Sequence, residues 1–560
     1  MRAISATGLL GDFADRGVIG LPDVHLARTI TRLAGDESPP VELAIALTMR
    51  AWRTGSPCLD LRHADRLTAD PDQDTAPDIA GLPWPDRQPW LQAVAASPLV
   101  GTEHDRRPLC LDGDLLYLRR TWDDQAAVVA ALAGRDRAAP PDSPVAPTGD
   151  AITDAVLTGW TTVLTGGPGT GKTQKIADIV ATVGGLPGFE SIALAAPTGK
   201  AAARLGQALG AGTHSPSTLH RLLGARGPGR GFRYNATNPL PADFVIVDEL
   251  SMVSLPLMAA LLRALRPNAR LLLVGDPGQL ASVEAGDVLA DLVAAGTDHD
   301  PPLVHNLTHV WRHTGALAEL AAAAGAGDAD RALAILDGGD PAVRLVDRDA
   351  GDTDWAGLPD VAEAVRTAAR AAQDAARRGD ARAAVDATDG HRLLCAHRQG
   401  PYGVATWARR VAQLTTPTGL RPDDWWAGRA VLATTTAPDL GVVSGDEGVA
   451  VVEGGAVRLA FEDRSDAGGS SRLLPVDSVP GLATLDAMTV HKAQGSQFRA
   501  VTVVLPPVTS PLSIRPLIYT AMTRASQRLV LVGTREQLRH GLTTDPVRAS
   551  GLADALRRAF

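Results

Sequence analysis

The sequence predicts an α/β fold: two lobes, each a parallel sheet with flanking helices, a small β-barrel inserted in the second lobe, and a separate, mainly helical N-terminal domain. Three observations carry this. A β-rich run at residues 161–165 (TTVLT) leads into the glycine-rich segment 166–173 (GGPGTGKT) and then into a helix-patterned stretch, the strand–loop–helix unit of a parallel sheet. Short apolar runs at 191–196, 244–247 and 270–274, and again at 392–396, 500–505 and 528–532, each end in a loop bearing polar residues, which is how strands covered on both faces read. Within the second set, 429–479 changes to strand-like pieces (VLATT, GVAVV, AVRLAF, SRLLPV) separated by Gly, Asp and Ser turns, which places the barrel at about 427–480.

The bulk composition bounds the answer. A chain of 560 residues, 45% hydrophobic, is long enough for several buried cores. A net charge of −9 excludes a protein that coats nucleic acid by bulk positive charge, while leaving room for a local basic groove. Cys58, Cys110 and Cys395 stand far apart with no C-x-x-C pair, so cysteine alone builds neither a zinc site nor an iron–sulfur cluster, and a reducing cytoplasm is expected. The first residues lack an apolar signal core and no apolar run reaches membrane-spanning length, so no membrane partner is expected.

Taken in order, residues 1–134 form the N-terminal domain. Residues 41–52 read as an amphipathic helix and 109–118 as a hairpin turning at Asp112-Gly113. Trp52, Trp84, Trp90 and Trp122 lie here with no catalytic constellation, which suggests a domain that docks onto a partner. Residues 135–148 (RDRAAPPDSPVAPT) have the composition of a linker. The first lobe then spans 149–305 and the second 306–560.

The segment 166–173 matches the phosphate-loop pattern G-x-x-x-x-G-K-[ST] without a mismatch. Gly167, Pro168, Gly169, Thr170 and Gly171 would turn backbone N–H groups onto the phosphates of ATP at a helix N-terminus. Lys172 would reach the β- and γ-phosphates, and Thr173 would ligate Mg²⁺. The apolar run FVIV ends in Asp248 and Glu249, paired carboxylates at a strand tip: Asp248 for Mg²⁺, Glu249 to orient and deprotonate the attacking water. Gln279, after the run 270–274, is placed to sense the γ-phosphate through that water. Arg312 (in LTHVWR) and Arg524 (in IYTAMTR) are candidates to reach in from the second lobe and neutralise developing charge. No nuclease-like Asp/Glu/Lys cluster is evident, so no DNA cleavage is assigned to this chain.

The order of these motifs resembles the superfamily 1 helicases, above all the subclass that moves 5′ to 3′. GGPGTGKT is followed by APTGKAAARL (196–205), STLHRLL (217–223), DELSM, GDPGQLASVEAG, MTVHKAQGSQF (488–498) and YTAMTRA, the match covering roughly residues 150–535. Within that superfamily the chain is most similar to the RecD family, the α subunits of exodeoxyribonuclease V, a likeness that extends to DGDLLYLRRTW (112–122) and LLCAHRQGPYG (393–403). The resemblance implies two RecA-like lobes with an SH3-like inserted barrel, ATP and Mg²⁺ in the cleft, and an ATP-dependent 5′-to-3′ DNA helicase working with RecB-like and RecC-like subunits in double-strand-break repair. It also implies a single-strand track lined by Thr198, Lys200, His220, Arg398, Thr489, His491 and Lys492, gripping phosphates and sugars of single-stranded DNA. One departure is evident: the family carries a glutamine upstream of the phosphate loop to read adenine, and here that neighbourhood is PTGDAI (147–152). Three other readings stay open at this point: a free-standing helicase, a relaxase-linked helicase, and a subunit that binds ATP and DNA as a regulatory switch.

Overall fold

The site-bearing sheet is six-stranded and parallel throughout, in the order Val304–Leu307, Thr161–Gly166, Arg270–Gly275, Phe244–Val247, Ile192–Ala196, Ser217–Thr218. The computed structural model describes residues 6–67, 70, 75–138, 147–210, 215–227, 229–296, 299, 302–308, 315–462 and 470–560. Its central strands are covered on both faces, which is why FVIV and RLLLV read as unbroken apolar runs: Phe244 to Val247 and Leu271 to Val274 are all buried. Every strand therefore delivers its polar follower to one carboxyl-terminal edge, where the helices Lys172–Val183 and Gly199–Leu209 begin.

A second parallel sheet runs Val343–Asp347, Ala525–Gly533, Phe498–Val504, His391–Cys395, Met488–Thr489. The strand Val343–Asp347 has no counterpart in the sequence reading. Its pattern is mixed, with Arg344 and Asp347 exposed at the sheet edge, so it lacks the apolar run of its neighbours.

The segment between Met488–Thr489 and the helix Val404–Thr415 folds into an antiparallel sheet of five strands, Ser471–Pro475, Ala456–Glu462, Glu447–Glu453, Ala430–Ala433 and Leu482–Thr484. Its two edge strands do not pair with each other among the described residues, so the expected barrel is present as an open sheet. Alternation serves both faces: Val431, Ala450, Leu459 and Phe461 form the insertion's own core, while Val449, Val451 and Ala460 pack on Ala375, Ala376 and Ala384 of the second lobe's helices.

The N-terminal domain holds helices including Pro39–Arg53 and a four-stranded sheet whose hairpin, Leu109–Asp112 with Leu115–Leu118, turns through Gly113 at φ 59°. Two expected boundaries are corrected. The stretch from Arg135 belongs to the helix Arg119–Asp136, and Arg135 donates to the carbonyls of Trp160 and Ala269, fastening the proposed start of the linker to the first lobe. Val128 and Leu132 of that helix share one hydrophobic core with Met258 and Leu261 of the first lobe and with Leu552 and Leu556. The latter pair lies on the last helix, Leu552–Ala559, so the end of the chain leaves the second lobe and packs on the first. On its way Arg548 donates to the carbonyls of Gly55 and Ser282, and Ser550 to Asp291. The prolines at 140–147 are a local signal, and residues 139–146 lie outside the described residues; the apolar contact of the helix before them joins residues some 400 positions apart and leaves no local trace.

Candidate active site

The phosphate loop joins the strand Thr161–Gly166 to the helix Lys172–Val183 through two left-handed glycines, Gly169 (φ 75°) and Gly171 (φ 84°), a conformation other residues resist. Thr170 Oγ1 donates to the Gly167 carbonyl, and Lys172 Nζ folds back on the carbonyls of Gly166 (2.6 Å) and Gly167 (2.9 Å). The helix N-terminus after Gly171 turns its amides toward the same concavity, with Thr173 in its first turn.

Asp248 and Glu249 leave the tip of the strand Phe244–Val247 as expected. Asp248 is 8% exposed, and burial together with the neighbouring Glu249 charge pushes it up to about 6, while the Glu249 amide, Lys172 and Arg204 act in the opposite sense. Glu249 itself sits at φ 55°, ψ 45°, a strained setting for a side chain with a Cβ, held by a hydrogen bond from its N–H to Asp248 Oδ1 (2.8 Å). Asp248, within reach of the Lys172 charge, and the Thr173 hydroxyl in the first turn after the loop are hard oxygen donors of the kind Mg²⁺ takes.

Across the cleft, Arg524 follows the helix Arg515–Met522 of the second lobe and is 2% exposed. It donates to Thr520 O (3.1 Å), Ser496 O (3.1 Å), Thr523 Oγ1 (3.2 Å) and Gln279 Oε1 (3.1 Å). Burial presses its guanidinium below its usual range, and the charges of Glu249 and Asp276 act to hold it charged. Gln279 and Arg524, 245 residues apart, are thus in direct contact. Arg312 lies outside the described residues.

The expected strand-contacting residues divide. Thr198 caps the helix Gly199–Leu209, and its hydroxyl faces Gly495, beside the loop that carries Thr489, His491 and Lys492. Lys200 reaches out of the first lobe to Glu447 of the inserted sheet (2.8 Å), a carboxylate that also takes Arg392 of the second lobe (3.0 Å). Thr489 is buried and accepts from the Lys492 amide; Lys492 and Arg398 are exposed. His491 is pushed down to about 4 by burial and by Arg548 and Arg398, which favours its neutral form. His220 is exposed with its ring against Phe232. In the neighbourhood of the missing adenine-reading glutamine, Asp150 caps the helix Ala151–Thr158 and pairs with Lys175 at 2.5 Å.

Sequence reasoning passed over three groups that the fold brings to the cleft. Arg204 donates to Gly495 O (3.1 Å) and lies close enough to Asp248 and Arg524 to influence both charges. Gln494 Nε2 donates to Leu280 O (2.7 Å), and Tyr519 OH to Asp276 Oδ2 (3.1 Å). Arg204, Gln494 and Tyr519 all stood within the motif segments, so the signal was membership of those segments; their partners were not legible.

A nucleotide loop on one parallel sheet, closed by an arginine from a second, is the architecture of the two-lobed P-loop nucleotide hydrolases, the class to which helicases belong. Three family models match along the chain: the RecBCD enzyme subunit RecD N-terminal domain at residues 15–117, an AAA domain at 149–348, and the UvrD-like helicase C-terminal domain at 484–532. The RecBCD enzyme subunit RecD of Mycobacterium tuberculosis is 42% identical over 585 aligned positions, covering 98% of this chain and 97% of that protein. The ATP-dependent RecD2 DNA helicase of Deinococcus radiodurans is 34% identical over 390 positions, 66% of this chain and 47% of that one. A crystal structure of Bacteroides Pif1 bound to single-stranded DNA aligns with 66% of this chain and 88% of its own, at 16% identity and a TM-score of 0.39. The chain belongs to the RecD family. Among the described residues no helix is long and apolar enough to cross a membrane.

Proposed function

We propose that this chain is an ATP-dependent DNA helicase that moves 5′ to 3′ along one strand, working as the RecD-like subunit of a complex with RecB-like and RecC-like partners at double-strand DNA ends. The observation that carries the motor reading is the contact of Arg524 from the second lobe with Gln279 of the first, which makes the hydrolytic site depend on closure of the cleft. On ATP binding, Lys172 exchanges the carbonyls of Gly166 and Gly167 for phosphate oxygens. Thr173 and Asp248 would hold Mg²⁺, which supplies charge neutralisation at the β- and γ-phosphates. Glu249 takes the proton of the attacking water, Gln279 orients that water, and Arg524 offsets the charge that develops as the bond to the leaving group breaks. Opening after hydrolysis releases Arg524 from the first lobe, and repeated closure moves the grip of the two lobes along the strand.

Assembly with RecB-like and RecC-like chains is supported by relatives named as RecBCD subunits that match nearly the whole chain, N-terminal domain included. Of that domain's four tryptophans, Trp90 is buried with its indole N–H on Pro40 O, while Trp84 packs edge-on against Phe13 and Trp122 against Tyr117. Trp52 is 39% exposed and is the one available as an anchor for a partner.

The test is Lys172→Gln in the full chain. It removes a phosphate contact and no core packing, so single-strand-stimulated ATP hydrolysis should be abolished with the thermal midpoint retained. Unchanged turnover would remove the phosphate loop from the mechanism.

A further inference from the structure

The segment from Asp276 to Leu280 is held by the second lobe at four points. Tyr519 OH donates to Asp276 Oδ2, Arg524 to Gln279 Oε1, the Leu280 amide donates to Thr520 Oγ1 (2.8 Å), and Gln494 donates to Leu280 O. Three of these come from one helix and the turn after it. Within the segment, Asp276 Oδ1 accepts from the Gly278 amide (3.0 Å) and Oδ2 from Gln279 Nε2 (3.0 Å). The orientation of the glutamine amide follows from this chemistry. A carboxylate only accepts, so the NH₂ must face Asp276; a guanidinium only donates, so the carbonyl must face Arg524.

Tyr519 closes the chain from above. Its ring lies 3.1 Å from where a Cβ on Gly278 would stand, and its hydroxyl 3.4 Å from where one on Gly167 would, so one aromatic side chain of the second lobe touches both the phosphate loop and the segment bearing Gln279. The side chain is 5% exposed, and burial beside the Asp276 charge raises its ionisation far above the ordinary phenol range, which keeps it a donor.

We propose that Tyr519 is a positioning residue for hydrolysis: by holding Asp276 it fixes the amide of Gln279, so that arrival of the second lobe sets the γ-phosphate sensor as well as delivering Arg524. The proposal rests on the helicase reading above, in which Gln279 orients the attacking water.

The experiment compares full-length wild type, Tyr519→Phe, Asp276→Asn and the double variant in ATP hydrolysis at saturating single-stranded DNA. Tyr519→Phe keeps the ring packing and removes one hydrogen bond. It should lower kcat about tenfold while KM for ATP stays within about twofold and the thermal midpoint is retained, because the lost contact acts on the transition state. If both residues act through one chain of hydrogen bonds, the double variant should turn over no more slowly than Asp276→Asn alone. Tyr519→Ala should lose thermal stability as well, which Tyr519→Phe restores without restoring kcat. A Tyr519→Phe kcat within about twofold of wild type, a KM that rises in step with the loss, or multiplicative effects in the double variant each overturn the proposal while leaving the helicase reading standing. Absence of DNA-stimulated turnover in the wild type overturns both.

Discussion

Glu447 bears the most informative single charge outside the nucleotide site. It sits on the inserted sheet with its side chain 10% exposed and takes Lys200 of the first lobe at 2.8 Å and Arg392 of the second at 3.0 Å. Burial alone would raise its carboxyl; the two cations outweigh that and hold it below the usual range, so it is charged at working pH. Lys200 is thereby neutralised by a carboxylate at the position where the family resemblance has it gripping a DNA phosphate. Glu447→Gln keeps the shape and one acceptor but removes the charge. Breaking a buried ion pair costs about 3–5 kcal/mol, and although Lys200 is 30% exposed, Arg392 is 3% exposed and loses the same carboxylate, so the loss of stability here should fall in that range. In DNA binding the effect has the opposite sign. Freed from its carboxylate, Lys200 adds about one phosphate contact, so affinity for single-stranded DNA should rise several-fold at low salt. The slope of log K against log salt should steepen by about 0.7, the contribution of one contact on a single strand. Fluorescence anisotropy with a labelled oligonucleotide across a salt series reads both quantities. Affinity that weakens, or rises with no change in slope, would refute the argument that Glu447 and DNA phosphate compete for Lys200.

Two further outcomes are expected. Arg524→Ala should lower DNA-stimulated kcat by on the order of 10³ with little change in nucleotide affinity, as for a transition-state arginine, and measured loss of ATP binding at unchanged turnover would contradict that role. It should also cost about 2 kcal/mol in stability, since Ser496 O and Gln279 Oε1 are left buried without the Arg524 donor, which a thermal melt reads separately. Asp291, beside the end of the chain, is pushed up to about 7 by burial, the Ser550 hydroxyl and Arg557 working against this and Asp287 and Asp554 with it. Its folded value lies above the ordinary 3.8, so the folded state holds the proton more tightly; the resulting stability is fully present below about pH 4 and lost as pH rises to about 7. Asp291→Asn, which can keep the Ser550 bond, should therefore raise the melting midpoint relative to wild type at pH 8 and not at pH 4. Equal shifts at both values would show that the carboxyl does not titrate in this window.

The framework of the proposed nucleotide site was legible because its grammar is local. A β-run, four glycines and a Lys-Thr pair specify the loop and the helix that follows, and an apolar strand tipped with Asp248 and Glu249 has no other use for two charges. The hairpin at 109–118 was legible for the same reason. What was not legible is complementarity across long separations. Arg524 stood out as a charge in a motif, but Tyr519, five residues earlier, reads as one more side chain on an apolar helix; its partner Asp276 is 243 positions away. Lys200 reads as a free cation until Glu447, 247 positions on, is folded against it. The start of the linker was misplaced in a related way, while 139–146 lie outside the described residues. The helix Arg119–Asp136 carries Val128 and Leu132 into the first lobe's core beside Leu552 and Leu556, so a chain begun near Thr148 would expose that apolar surface and is expected to be destabilised. The inserted segment was legible as alternating strands, but whether its edges meet depends on pairing that alternation does not specify.

The central claim is that hydrolysis in the cleft between the lobes moves the chain in one direction along a single strand. Streptavidin displacement tests it most directly, using oligonucleotides biotinylated at one end or the other, full-length protein and ATP, with Lys172→Gln as the control. The account predicts ATP-dependent release of streptavidin from the 3′ end, little from the 5′ end, and none from either with Lys172→Gln. Preferential release from the 5′ end, or release that survives Lys172→Gln, would contradict it.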